Sequence, residues 1–261
     1  MKNKQKILDN YLKNSKGFIE LHLKNVWFLH KAAFIIFFIL LTNFTYGQGV
    51  DIGQFAIWKA KDGQLRSFEE GYKQHLNWHK DNGDKWGWYG WFIISGPRYG
   101  QFVDATFGHA WADFDNAVKP LDDMADNKLH VFPFADVQII FKVAGIPEAS
   151  SANTLGMKTK FIKLVTLTVD DMEQSLKMSE KLKDYYSSKQ IKFYKTYKVV
   201  DGGNINQMIL MLGFDNWEDY AKSEDLNKKI AEFEQILKID TIRSIVSETM
   251  IYRPDLSFFP N

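Results

Sequence analysis

Trp111-Ala112-Asp113-Phe114 recurs 106 residues later as Trp217-Glu218-Asp219-Tyr220. The same offset pairs Phe55 with Phe161, Tyr72 with Met178, Leu76 with Leu182 and His79 with Tyr185. It also pairs Gly96 with Gly202, Val103 with Ile209 and Ile140 with Val246. One such match is cheap. A constant offset kept through several separate segments marks an internal repeat, and a repeat decides the architecture before any motif does.

Outward from these pairs, each copy carries the same order of elements. Residues 55–60 and 161–169 are short runs rich in strand formers. Residues 67–80 and 172–187 follow with apolar or aromatic side chains at helical spacing: Phe68, Tyr72, Leu76 and His79, then Leu176, Met178, Leu182 and Tyr185. Strands are predicted at 86–94 and 101–107 around a turn with Gly96 and Gly100. They are predicted again at 192–200 and 207–212 around Gly202, Gly203 and Asn204. Gly and Asn supply the positive φ angles of tight turns. A second helix is expected to begin at Trp111 and at Trp217, which puts Asp113 and Asp219 against the positive end of the helix dipole. Last strands at 137–143 and 246–252 complete β-α-β-β-α-β twice. The units are 48–144 and 161–261, joined by a linker at 145–160 that contains Pro147, Asn153 and Gly156. A four-stranded sheet with helices on one face leaves its other face bare, and two such sheets can bury those faces against each other.

This order, with the Trp-x-Asp-aromatic repeat, resembles the dimeric α/β-barrel superfamily, which includes cofactor-free antibiotic-biosynthesis monooxygenases and NIPSNAP-like proteins. The likeness covers roughly residues 54–253. It implies an α+β fold of two tandem ferredoxin-like units packed sheet to sheet as an intrachain α/β barrel. The second copy would take the place of a partner chain, with a cleft between sheet and helices. The resemblance carries over no catalytic residue, because those families share no invariant motif that matches here.

Composition narrows the function classes. The chain has 261 residues, 45% hydrophobic and 25% charged, enough to bury a core. It has no cysteine, which removes disulfides, thiolate metal sites and a cysteine nucleophile. Residues 1–47 hold seven Lys and two acids, so the remainder carries 26 basic and 30 acidic residues, a net charge of −4. Such a body lacks the basic footprint of a nucleic-acid binder. Residues 32–46 are uncharged and strongly apolar at their start, follow Lys24 and Lys31, and lead into Thr45-Tyr46-Gly47. That is the order of a secretory signal peptide, and the run is shorter than the roughly 20 residues a membrane-crossing helix needs. Cleavage is expected before Gln48, giving a periplasmic or secreted protein with no membrane anchor after cleavage; an oligomer is compatible with it.

The densest chemical feature is Lys85-Trp86-Gly87-Trp88-Tyr89-Gly90-Trp91, which leads to Arg98 and Tyr99. In a strand, Trp86 and Trp88 face one way while Tyr89 and Trp91 face the other, so one pair at most lines a given pocket. Indole and guanidinium together suit a flat, apolar or anionic ligand. Trp86, Trp88, Trp91, Tyr99, Asp104 and Trp111 are the candidate ligand contacts. Core packing is the competing account of the aromatics. Asp104 and Thr106 make one face of their strand polar, which would suit either a space between the two sheets or a solvent-facing edge. His109 is read as a loop histidine at the mouth of a cleft. It and Arg98 are the candidate catalytic pair, as proton-transfer group and oxyanion partner. His75 and His79 stand four apart on a helix, a spacing that can hold a metal ion. No third ligand has a recognisable spacing, so no metal site is assigned and no cofactor is implied.

The reading that follows is an exported protein binding a small apolar or aromatic molecule in its first copy. The alternatives are a cofactor-independent monooxygenase- or isomerase-like enzyme, and an interaction module without a ligand. The first-copy groups Arg98 and His109 would then matter for function but not stability, while their counterparts Asn204 and Asp215 would be silent. Convergence of Arg98, His109 and one Trp pair on a single concavity separates the enzyme from the binder.

Overall fold

In β1 (Ile52–Ala60), Phe55 and Ile57 point one way and Ala56 and Trp58 the other, and all four are buried. A strand apolar on both faces needs two apolar environments. The computed structural model, which describes residues 51–151, 155–191 and 193–260, shows how both are supplied. The proposed signal segment and its cleavage position before Gln48 lie outside the described residues.

After β1 come α1 (Leu65–Asp81), β2 (Tyr89–Ser95), β3 (Phe102–His109), α2 (Pro120–His130) and β4 (Ala135–Gly145). The second half follows with β5 (Phe161–Val169), α3 (Met172–Ser188), β6 (Phe193–Asp201), β7 (Gln207–Phe214), α4 (Trp217–Ala221), α5 (Leu226–Leu237) and β8 (Ile242–Tyr252). The eight strands close into one antiparallel barrel in the order β1-β3-β2-β8-β5-β7-β6-β4. The two sheets are therefore not only stacked. Their edges are hydrogen-bonded, β2 to β8 through Trp91 opposite Tyr252 and Ile93 opposite Met250, and β4 to β6 through Val143 opposite Val199.

Inside the barrel, Phe55, Ile57, Trp91, Val103 and Val143 from the first half meet Ile162, Leu164, Tyr197, Ile209 and Met250 from the second. Outside, α1 covers the first half with Phe68, Tyr72 and Leu76. Met178 and Leu182 of α3 and Leu226 and Ile230 of α5 cover the second. Among the described residues, no helix is long and apolar enough to cross a membrane.

Two expected elements differ. Trp111 opens only a 3-10 turn, Trp111–Asn116, and the true second helix begins at Pro120, whose missing N–H is harmless at the first helical position. Trp217 opens the five-residue α4, capped by Asn216 Oδ1 accepting from Asp219 N at 2.8 Å, and the long helix is α5. Both indoles are largely exposed, Trp111 51% and Trp217 54%, although Trp217 stacks on Phe161 of β5 with ring centroids 4.3 Å apart.

Closure also has a consequence for either half alone. Residues 48–150 by themselves would expose the β2 and β4 edges and the inner face of the barrel, a template for association. Size-exclusion chromatography of that fragment should show a dimer or larger species; a folded monomer would contradict the dependence on closure.

Candidate functional site

The inner side chains do not fill the barrel to its ends. At the end that carries the β2–β3 and β6–β7 turns lies a cavity of about 290 Å³. Phe55, Ile57, Val103 and Phe141 of the first half and Leu164, Val199, Ile209 and Val246 of the second form its apolar wall. Arg98, Glu248, Asn204, Gln207 and Thr166 are the polar groups on it. At this end β4 runs past β6 and β8 past β2, which leaves Ile139 and Val246 exposed around the mouth.

Arg98 is held rather than free. Its Nε donates to Glu248 Oε1 at 3.1 Å and Oε2 at 2.9 Å, its Nη2 also donates to Oε2, and its backbone N donates to Oε1 at 2.9 Å. Glu248 is only 1% exposed, so the guanidinium is the counter-charge of a buried carboxylate. Gly96 makes the approach possible: its φ is +104°, and a Cβ there would sit 2.6 Å from Glu248 Cγ. The site as a whole is neutral.

The other predicted residues scatter. His109 is the last residue of β3, at the opposite end of that strand from Arg98, so the two do not form one site. Nor is it a loop residue. It is 6% exposed, packed at a tilt against Trp86 with ring centroids 4.1 Å apart, with Nε2 2.6 Å from Thr106 Oγ1. Burial pushes its imidazole below the usual histidine range, and Asp113, Asp84 and Asp51 pull it partly back. Trp86 and Trp88 do face away from Tyr89 and Trp91, but they belong outside the barrel, while Trp91 is wholly buried within it. Tyr99 and Trp111 are exposed. Asn204, expected to be silent, lines the same cavity as Arg98, so this site belongs to both halves rather than to the first copy.

The polar face of β3 is turned outward under α1, not into the barrel. Asp104 Oδ2 accepts from Trp58 Nε1 and Tyr72 OH, each at 3.1 Å. Burial raises its pKa to about 7, against the lowering effect of those two hydrogen bonds. On the same side, α1 and α2 pack closely because of Gly71, where a Cβ would lie 1.9 Å from His130 O. The contact brings Asp123 of α2 to His75 and His79 of α1. Desolvation, then His79, holds His75 down to about pKa 4, and burial raises Asp123. A third ligand-type side chain thus stands beside the histidine pair, contrary to the spacing argument.

A second recess of about 310 Å³ lies at the opposite end, among Tyr89, Phe107, Lys195, Tyr197 and Phe259. A polar groove of about 490 Å³ lies on the second half, with Gln190, Asp215 and Lys222 on its walls.

No protein-family model and no curated protein matches the sequence. Solved structures do match the fold. A proposed monooxygenase from Lactobacillus acidophilus NCFM is 10% identical with a TM-score of 0.54, over 81% of this chain and 97% of its own. A proposed monooxygenase from Fusobacterium nucleatum is 15% identical with a TM-score of 0.53, over 78% and 93%. A chlorite dismutase variant from Candidatus Nitrospira defluvii is 8% identical with a TM-score of 0.50, over 80% and 94%. The chain has the dimeric α/β-barrel fold. At these identities the likeness concerns the fold alone.

Two predictions concern the buried charges. Arg98→Ala should destabilise the protein by roughly 3 kcal/mol in urea unfolding, because it strands Glu248; adding Glu248→Gln should restore part of it. The expectation that Arg98 is dispensable for stability is reversed. For Asp104, the native state holds its proton up to about pH 7, whereas the unfolded chain releases it near 4. Its contribution therefore weakens the fold as pH rises from about 4 to 7. Asp104→Asn keeps an acceptor for both donors, and its stability advantage over wild type should grow across that window and then level off.

Proposed function

We propose that the protein binds a small, uncharged, apolar or aromatic molecule inside the barrel, at the end lined by Arg98 and Asn204. The observation that carries this is the apolar cavity of about 290 Å³ walled by both halves, with a few convergent polar groups. Apolar walls with sparse polar groups are the usual form of a small-molecule site. The size suits a molecule of two or three rings. The Arg98–Glu248 pair has no net charge to offer, so it favours a hydrogen-bonding substituent over an anion.

Export, with cleavage before Gln48, belongs to this reading and rests on the order of charged, apolar and small residues near the N-terminus. So does a tandem duplication of ferredoxin-like units. It is supported by the repeated element order and by Trp111 and Trp217, each of which opens a short helical turn just after a third strand. The NIPSNAP-like side of the resemblance has only the element order behind it.

The second reading is a cofactor-independent enzyme of the monooxygenase kind. Its support is the likeness to the two proposed monooxygenases. Against it, His109 and Arg98 lie at opposite ends of a strand, so a proton-transfer group and its oxyanion partner do not meet across a substrate. The binding reading needs no such pair.

The test uses the neutral fluorescent probe 1-N-phenylnaphthylamine. Val246 is 38% exposed at the mouth, so Val246→Trp narrows the cavity without overpacking the core. The variant should bind the probe about tenfold more weakly, a loss of about 1.4 kcal/mol. Equal affinity in both proteins would place the probe elsewhere and remove the basis for the reading.

A further inference from the structure

We propose that His75, His79 and Asp123 bind one divalent transition-metal ion of the zinc class between α1 and α2. This site lies outside the barrel and is independent of the cavity reading.

The geometry converges on a point. His75 Nε2 and His79 Nε2 are 3.1 Å apart, and Asp123 Oδ1 is 3.4 Å from the first and 3.8 Å from the second. Zinc bonds of about 2.0–2.1 Å to nitrogen and oxygen put tetrahedral neighbours about 3.3 Å apart. The three observed separations straddle that value. Histidines at i and i+4 on one helix face are a spacing that metals use.

Proton accounting points the same way. Each Nδ1 lies 2.8 Å from a carboxylate oxygen, His75 from Asp126 and His79 from Asp84. Two acceptors at that distance would repel, so each Nδ1 carries the proton. His79 Nδ1 is fully buried and lies beside the Asp84 carboxylate without full hydrogen-bond alignment, and the carboxylate favours the neutral ring's N–H on that side. Both Nε2 atoms then present lone pairs, to each other and to the Asp123 carboxylate. The Asn127 amide donates to His75 Nε2 at 3.1 Å and to Asp123 Oδ1 at 3.2 Å, aimed into the same set. A single extra proton on one ring would join two of the three acceptors. A divalent cation satisfies all three and outcompetes one amide.

The surroundings are those of a metal-ligating pair. A carboxylate on the far nitrogen of each imidazole fixes the ring and its tautomer and raises its basicity. Asp126 is itself held by His130, Nδ1 to Oδ1 at 2.9 Å. Asp123 has a side chain 34% exposed, so an ion has a way in from solvent. Two imidazoles and one carboxylate are a donor set that zinc, cobalt and ferrous iron accept and that magnesium and calcium do not favour.

The competing account is a polar network that merely closes α1 onto α2. Purified full chain, stripped with a chelator, should take up one equivalent of Zn²⁺ in isothermal titration calorimetry, raising its Tm. Co²⁺ should give the visible absorption of a tetrahedral site, and Mg²⁺ should not compete. Asp123→Asn, which leaves the core intact, should weaken Zn²⁺ binding about a hundredfold, and Asp126→Asn by about tenfold or more. His79→Ala should abolish it; if that chain does not fold, the two Asp variants still decide. Absence of stoichiometric Zn²⁺ uptake, or equal uptake by wild type and both Asp variants, would overturn the proposal.

Discussion

Closure of the barrel is the constraint on which the other features depend. A four-stranded sheet with strands apolar on both faces would leave one face in water and two edges unpaired, and helices can cover only the outer face. Joining β2 to β8 and β4 to β6 solves both problems at once, because the edges pair and the inner faces enclose each other. The edges match in length only over part of β4 and β8. Where those strands overrun their partners the interior is not sealed, and the cavity with its buried Glu248 lies there. The candidate site is thus a by-product of how far the strands overlap, not of a separate binding loop.

Most of this frame was legible in the chain. The periodicity of 172–187 predicted a helix found at Met172–Ser188, and the β-rich run at 161–169 is β5 residue for residue. The second helices were misplaced because Trp111 and Trp217 follow a strand and precede acidic residues, which is also the pattern of a brief helical turn. Pro120 and the acidic pair Asp122 and Asp123 were the better start signal. The side of Asp104 stayed open between the inter-sheet space and a solvent edge, because alternation says that two faces differ and not which is inner or what covers the other. The decision rests with Trp58 and Tyr72, which supply donors only on the helix-covered face.

What was hidden is tertiary. Glu248 carried no mark in the sequence, yet it fixes Arg98 through three donor groups from across the barrel seam. Asp123 is far from His75 and His79 along the chain, so no ligand spacing exists to be read. The one local clue was Gly71, a helix-interior glycine on the same stripe as both histidines. Its cost to the helix is offset where a second helix must come close.

The aromatic excess of the first half takes on a different meaning from these placements. At the equivalent positions the second half has Lys192, Tyr194 and Tyr197. Yet among the tryptophans of the first half only Trp91 enters the barrel, with Tyr89 stacked on it, at a position where Tyr197 of the second half also points inward. The surplus rings lie outside. Trp78 stacks on His75, Trp88 packs tilted against His79 and Trp86 against His109, and Asp84 accepts from Trp88 Nε1 at 2.9 Å. Indole walls exclude water from imidazoles while a few carboxylates set their protons, which is the environment that makes ring nitrogens good ligands. The corresponding helix α3 carries Ser175 and Ser179, whose hydroxyls pair with those of Thr241, Thr196 and Tyr194. The two halves therefore differ in the polar groups that lie between helix and sheet, imidazoles, indoles and carboxylates in one and mainly hydroxyls in the other, while the barrel interior that they share is largely apolar, with the Arg98–Glu248 pair at one end.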